Sequence, residues 1–228
     1  MSERRPDLVP VHGGLAEPVD RIVPLKERKE FLAEAQALPQ LRVTTADVST
    51  VHRLADGTLS PLEGPMKSEA YHLALDEKVV VSNGKRYAWG IPLALPATDE
   101  ESASFKAGGS VAVVQEDGRV VAIVDDVEVF GWDKEKYNQK VYLTDRWDHP
   151  GGRSVQNDSR VKLVGGAIRA LPQVHHEEYG ETMPASDQYR AICRTCWRSS
   201  LGPASSSNSP ASSSMSAELE PPLPVGTG

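Results

Sequence analysis

Apolar spacing over the first 172 residues alternates between short helical and short extended patterns, most of them closed by a recognisable turn or cap. Phe31, Leu32, Ala35 and Leu38 recur on one side of a helical period that Pro24 opens and Pro39 stops. Residues 41–45 are extended, and Thr45 can cap a helix over 46–55 that ends at Gly57. Residues 60–65, Ser-Pro-Leu-Glu-Gly-Pro, read as a loop, and Ser68 as the cap of a short helix through Leu75. Asn83-Gly84 between 78–81 and 85–95 is a strong hairpin signal, because both residues tolerate the positive φ of a two-residue turn. Asp117-Gly118 marks a second hairpin between 110–115 and the long β-branched run 119–130. Thr98 and Glu101 stand at capping-box spacing for one or two turns ending by Gly108, and Asp133 can cap a helix over 134–142. A final strand over 160–171 is interrupted at Gly165-Gly166, where a bulge or bend is expected.

Short strands among helices that do not alternate with them regularly argue against a doubly wound parallel sheet. They predict an α+β fold built on a barrel-like mixed sheet. No internal repeat of fixed period is present.

Composition divides the chain. Residues 199–228 hold ten serines, five prolines and three glycines, with no aromatic residue, lysine or arginine. Such a segment buries too little apolar area to offset its backbone entropy, so it is expected to be a disordered tail. Over the whole chain 25 basic residues face 32 acidic ones, a net charge of -7. That balance argues against a polyanion-binding face, which needs clustered cations, and no nucleic-acid partner is expected. The longest apolar run is the five residues 120–124, and the first residues, MSERRPDL, lack a signal-peptide core. A membrane partner is therefore not expected, and a cytoplasmic location is.

Little catalytic chemistry is legible. Neither G-x-x-x-x-G-K-[ST] nor G-x-G-x-x-G occurs, and the pairs Gly13-Gly14, Gly108-Gly109, Gly151-Gly152 and Gly165-Gly166 read as turns and bulges. No two of the six histidines are spaced i, i+4. Cys193 and Cys196 form a lone C-x-x-C that can be drawn into a zinc site with His175 and His176. No second pair supports that drawing, no strand-to-helix turn supports a redox role, and accidental spacing is the favoured reading. The stretch Thr144-Asp145-Arg146 leading to His149-Pro150-Gly151 reads two ways. It is a polar ligand or interface loop, or a rigid turn in which Asp145 pairs with Arg146 or Arg153 in solvent.

Six ordered segments carry a family resemblance. They are Val9-Pro10-Val11-His12-Gly13-Gly14; Ser60-Pro61-Leu62 with Gly64 and Met66; Trp89-Gly90-Ile91-Pro92-Leu93; Asp133-Lys134-Glu135; Thr144-Asp145 with His149-Pro150-Gly151; and Val164-Gly165-Gly166. Together they resemble the amino-terminal domain of sulfate adenylyltransferase (ATP sulfurylase). The resemblance implies a PUA-like mixed β-barrel with flanking helices over residues 1–178, a divergent segment at 179–198 and the tail at 199–228. Pro65 stands where the family has an aromatic residue, and Thr58-Leu59 where it has a small or aromatic pair. The family's catalytic domain carries Q-x-R-N-P, H-x-x-H and G-R-D segments, and none occurs here.

The resemblance therefore implies the PUA-like part of a nucleotidyltransferase of sulfate assimilation, truncated or frameshifted before its catalytic domain and inactive alone. The arginine, cysteine, serine and proline bias after residue 189 is what out-of-frame translation of a GC-rich gene produces. No catalytic, cofactor-binding or metal-binding residue is assigned; ATP and magnesium belong to the parent family. Asp145, His149, Pro150 and Gly151 are the candidate interface residues, facing a sulfurylase catalytic domain. The alternative readings are a stand-alone PUA-like module for RNA or a nucleotide, and a scaffold partner of an intact sulfurylase.

Overall fold

A computed structural model describes residues 11–144, 146 and 148–173 of the chain. The expected divergent segment and tail, together with His175, His176, Cys193 and Cys196, lie outside the described residues, as do Val9, Pro10 and Asp145.

A five-stranded sheet runs in the order β1 (Gln40–Val43), β5 (Val111–Gln115), β6 (Val120–Gly131), β7 (Lys162–Ala170), β4 (Leu95–Ala97). The β1–β5 pair is parallel and the other three are antiparallel. Its two end strands, β1 and β4, come into contact, so the sheet curls into a nearly closed barrel. The expected mixed barrel is what the chain builds. A separate hairpin of β2 (Val79–Ser82) and β3 (Lys85–Ala88) turns at Asn83-Gly84, as expected, with φ of 50° and 69°.

Strand β7 uses both edges fully. Along one it pairs with β6, and along the other three separate segments follow one another. β4 takes residues 162–164. The run 63–65 then accepts from Gly166 N–H through Pro65 O at 2.9 Å and from Ile168 N–H through Glu63 O at 3.0 Å. Arg21 O accepts from Ala170 N–H at 2.9 Å, and Val23 N–H donates to Ala170 O at 2.9 Å.

The core has two layers, set by strand alternation. Leu41 and Val43 of β1 and Val111 and Val113 of β5 point into the barrel. Ala112 and Val114 point outward beneath Phe31 and Ala35 of α1 (Arg28–Ala37). Burying a phenylalanine here is worth about 2–3 kcal/mol. Arg169, projecting from β7, fastens the same helix by donating to Glu34 at 2.8 and 3.0 Å and to Asp125 of β6 at 2.6 and 3.0 Å.

Between β1 and β4 no ladder closes the barrel, and a carboxylate stands in for one. Glu101 belongs to α4 (Asp99–Ser102), where it completes a capping box with Thr98. Its Oε2 accepts from Thr98 N–H and its Oε1 from Arg42 N–H on the free edge of β1, both at 3.1 Å. Pro96 in β4 has no N–H to offer an incoming strand, so both sides of the seam are blunted.

Several boundaries differ from expectation, each for a packing reason. Thr44, not Thr45, caps α2 (Thr45–Ala55), through a reciprocal box with Asp47. Lys67 is the residue before α3 (Ser68–Glu77), and the Ser68 hydroxyl instead donates to Glu128 on β6. The run 85–95 is two strands, β3 and β4, in different sheets, parted by Gly90 and Pro92. Leu32 is 38% exposed while Phe31 and Ala35 are buried, because those two pack on Ala112, Val114 and Ile123 of the sheet and Leu32 falls to the side of that contact. The bulge lies on β6, where Asp126, at φ 53°, and Val127 oppose the single residue Gly166.

At Gly165-Gly166 strand β7 is continuous, and glycine answers a different need there. A Cβ on Gly165 would sit 2.2 Å from Met66 O, and one on Gly64 2.2 Å from Gly166 O. Gly165→Ala is expected to destabilise the chain by about 3 kcal/mol or more in urea unfolding. Gly131→Ala, whose Cβ would meet nothing within 4 Å, is expected to change stability by less than about 1 kcal/mol.

His52 of α2 is 8% exposed, and its Nδ1 is buried with no partner among the described residues. Burial, reinforced by the neighbouring Arg53 charge and opposed by a bond to the Leu171 backbone, lowers its pKa from 6.5 to about 4. Between those values the unfolded chain binds a proton that the folded chain refuses, so stability falls as pH drops from 6.5 toward 4. That loss amounts to about 3 kcal/mol in all. His52→Gln is expected to remove it, read as a flatter dependence of unfolding free energy on pH across that window.

Candidate functional site at the excursion between two strands

Residues 132–161 leave the barrel after β6 and return to it at β7. The excursion is pinned at its base, where Trp132 N–H donates to Val161 O at 2.9 Å and Gly131 pairs with Lys162. Asp133 starts α5 (Lys134–Tyr137) as expected, accepting from Lys136 N–H at 2.9 Å. The helix then widens into a π turn over Asn138–Tyr142 and stops at Leu143 in the left-handed region, φ 55°.

His149, Pro150 and Gly151 meet at the start of a helix that the sequence reading missed, α6 (Pro150–Asn157). They form its cap and first turn rather than a free loop. His149 Nδ1 accepts from Gly152 N–H at 3.2 Å, which leaves the other ring nitrogen to carry the proton. Pro150 occupies the first turn, where a missing N–H costs nothing. Gly151 lies against the Tyr142 ring, whose nearest carbon would be 2.6 Å from an added Cβ. Asn138 is buried and donates from Nδ2 to Gly152 O at 3.2 Å, tying the π turn to α6.

Aromatic rings connect this surface to the barrel. His149 is 4.9 Å from Tyr142, Tyr142 6.0 Å from Tyr137, and Tyr137 6.1 Å from Trp132, centroid to centroid. Burial, with the nearby Tyr142, pushes the Tyr137 hydroxyl up to about 12, so it stays neutral. Arg146 has its partner in Asp148, donating from Nε to Oδ1 at 2.9 Å, and holds that carboxyl below its usual range. Leu143 is 83% exposed.

At the root of α6 stands an ion cluster that sequence reasoning did not pick out. Arg160 donates to Asp47 of α2 at 2.7 Å and to Asp158 at 2.6 and 2.9 Å. Burial works to raise the Asp158 pKa, but the bonds to Arg160 outweigh it and the group ends below its ordinary value. Above the cluster an open cleft of about 620 Å³ is lined in part by Arg42, Thr98, Glu101, Ser154, Asp158 and Arg160. Its two arginines face the acids Glu101, Glu116 and Asp158, so it has no surplus positive charge to gather oxyanions. Among the described residues no group of three or more histidine, cysteine, aspartate or glutamate side chains is placed to hold a metal ion.

The other resembling segments converge as packing devices. His12 Nε2 bonds Ala88 O at 3.0 Å, with its ring 5.7 Å from Tyr87 and 5.9 Å from Trp89. Gly13 lies against Pro61 and Gly14 against the Tyr87 hydroxyl, too close for a side chain at either position. Met66 N–H donates to Leu93 O at 2.6 Å, joining the second segment to the third. Lys134 places its ammonium 5.0 Å above the Trp132 ring.

A model of the PUA-like domain family matches residues 9–173. A sulfate adenylyltransferase of Pyropia yezoensis is 41% identical over 81% of this chain and 43% of its own length. One from Staphylothermus marinus is 36% identical over 72% of this chain and 41% of its own. One from Nostoc punctiforme is 32% identical over 76% of this chain and 43% of its own. The chain thus spans about two-fifths of the length of these relatives. A solved structure, the hexameric APS kinase from Thiobacillus denitrificans, superposes with a TM-score of 0.57 over 81% of this chain and 31% of its own. At 21% identity that likeness concerns the fold alone. The chain belongs to the PUA-like domain family, in the version that sulfate adenylyltransferases carry.

Proposed function

We propose that this chain is the PUA-like portion of a sulfate adenylyltransferase, whose reaction converts ATP and sulfate to adenylyl sulfate and pyrophosphate, and that it carries the catalytic portion rather than performing the chemistry. The observation that supports this reading best is the match to relatives of that name across less than half of their length. Charge placement supports it as well. Attack of sulfate on a phosphoryl group needs several preorganised cations around the transferring oxygens, ordinarily with magnesium, and the described cleft has no such excess.

The surface proposed to meet the catalytic portion is the tip of the excursion, with Leu143, His149, Pro150 and Gly151. A large apolar side chain held outward from a left-handed backbone position costs energy in the isolated domain, and a packed partner would recover it. Asp145, expected at the same surface, lies outside the described residues.

The purified chain is expected to show no sulfate-dependent exchange of labelled pyrophosphate into ATP above the protein-free blank. Clear turnover would refute the carrier reading. In a pull-down with a purified intact sulfate adenylyltransferase, retention that Leu143→Glu abolishes would point to a scaffold role between chains.

A further inference from the structure

A second cavity, of about 160 Å³, lies among α2, the run into β4, and the α5 and α6 helices, and shares no lining residue with the cleft. Its size matches one that admits a benzene-sized guest, about 150 Å³. Tyr71, Trp132 and Tyr137 contribute aromatic wall, the last two with rings at 87° to each other. Asp47 and Thr50 supply the polar side.

The carboxylate of Asp47 is used on one oxygen only. Oδ2 accepts from Thr44 N–H at 2.9 Å, from the Thr44 hydroxyl at 2.8 Å and from Arg160 at 2.7 Å. Among the described residues no donor reaches Oδ1, although the side chain is only 15% exposed. Asp47 and Asp158 share the cation Arg160, and the Lys134 ammonium stands beside Asp158, donating to its backbone carbonyl, so it is Asp47 that lacks a cation of its own. The Lys134 ammonium over the Trp132 ring shows an aromatic wall of this cavity already engaging a cation.

We propose that this cavity is a binding site for a small organic cation, an alkylammonium group or the ammonium head of a lysine, held by the aromatic walls and by Oδ1 of Asp47. Ring faces attract a cation that has shed its water. A carboxylate oxygen without a donor supplies the charge-assisted bond. A neutral apolar guest would fill the same space while cutting Oδ1 off from water, which disfavours it. An anion would meet the Asp47 carboxylate. The site is independent of the carrier reading above.

The test is a titration of the full chain at constant ionic strength, following the indole N–H resonance that Trp132→Phe removes. The probes are choline, its neutral isostere 3,3-dimethylbutan-1-ol, and Nα-acetyl-lysinamide. Choline or the lysine derivative is expected to saturate, with the neutral alcohol about tenfold weaker or more. Saturation by choline alone assigns the site to quaternary ammonium ligands held by the rings, and saturation by the lysine derivative, whose ammonium can donate to Oδ1, assigns it to a polypeptide side chain. Val155→Phe, which fills the cavity and leaves Asp47 and its cap intact, is expected to abolish the shift at an unchanged Tm. Should that variant unfold, Tyr137→Leu takes its place, with an expected weakening of about fivefold or more. No saturable shift with either cation, equal binding of the neutral alcohol, or a shift indifferent to filling the cavity would overturn the proposal.

Discussion

The barrel depends on one backbone-to-backbone contact, the seating of residues 63–66 directly on β7. Gly64, Gly165 and Gly166 have no side chain where the two backbones meet, and hydrogen bonds from Gly166 N–H to Pro65 O at 2.9 Å and from Ile168 N–H to Glu63 O at 3.0 Å join the two segments. With that contact made, β7 has a partner along its whole outer edge. Without it, the N–H groups of Gly166 and Ile168 would be buried and unpaired, at a cost of about 1–3 kcal/mol each. The β6 bulge follows from the same geometry. Asp126 and Val127 take the place opposite Gly166, and Asp126 then pairs with Lys67 at the start of α3. A contact between residues about a hundred positions apart thus fixes a helix start, a bulge and a strand edge together.

That frame determines where the excursion of residues 132–161 stands. Its two ends are neighbours in the β6–β7 ladder, and between them it rests against α3, where Lys136 pairs with Asp76 and Lys78 donates to Lys140 O at 2.7 Å. Arg160 fastens its root to α2 through Asp47, while Asn138 and the rings from Trp132 to His149 stiffen it along its length. Glu101 plays the corresponding part at the seam, where a carboxylate supplies the acceptor that a sixth strand would have supplied. Side-chain oxygens complete backbone bonding at the places where the sheet runs out of strand.

The same division explains what could be read from the residues alone. Both hairpins were legible because Asn-Gly and Asp-Gly act through local dihedrals, and the Thr98 and Asp133 caps were legible for the same reason. The strand β4 was not, since a three-residue strand containing proline exists only because β7 offers an edge. Nor was α6, whose run Pro-Gly-Gly-Arg-Ser-Val-Gln-Asn has poor helix propensity and holds through the His149 cap and the burial of Gly152 against Asn138. The glycine pair 165–166 was singled out for the wrong geometry, because the backbone that approaches it comes from residues 64–66. Of the candidate interface residues, His149, Pro150 and Gly151 are consecutive in the sequence, but Tyr142 and Asn138, which hold them, are recognisable only in three dimensions.

The arrangement of charge carries the functional argument further than the motifs do. Arginine 21 serves Glu63, Arg86 serves Glu77, Arg146 serves Asp148 and Arg169 serves Glu34 and Asp125, while Arg160 is shared between two acids. A cation already neutralised by a carboxylate offers little to a developing oxyanion, since recruiting it would strand its present partner. Arginines spent in this way stabilise a scaffold rather than gather oxyanions. The cavity at Asp47 differs, because there one carboxylate oxygen is left without a donor among the described residues, beside the equally unpartnered indole N–H of Trp132. Arg21, Arg86, Arg146, Arg160 and Arg169 are committed to the domain's own carboxylates.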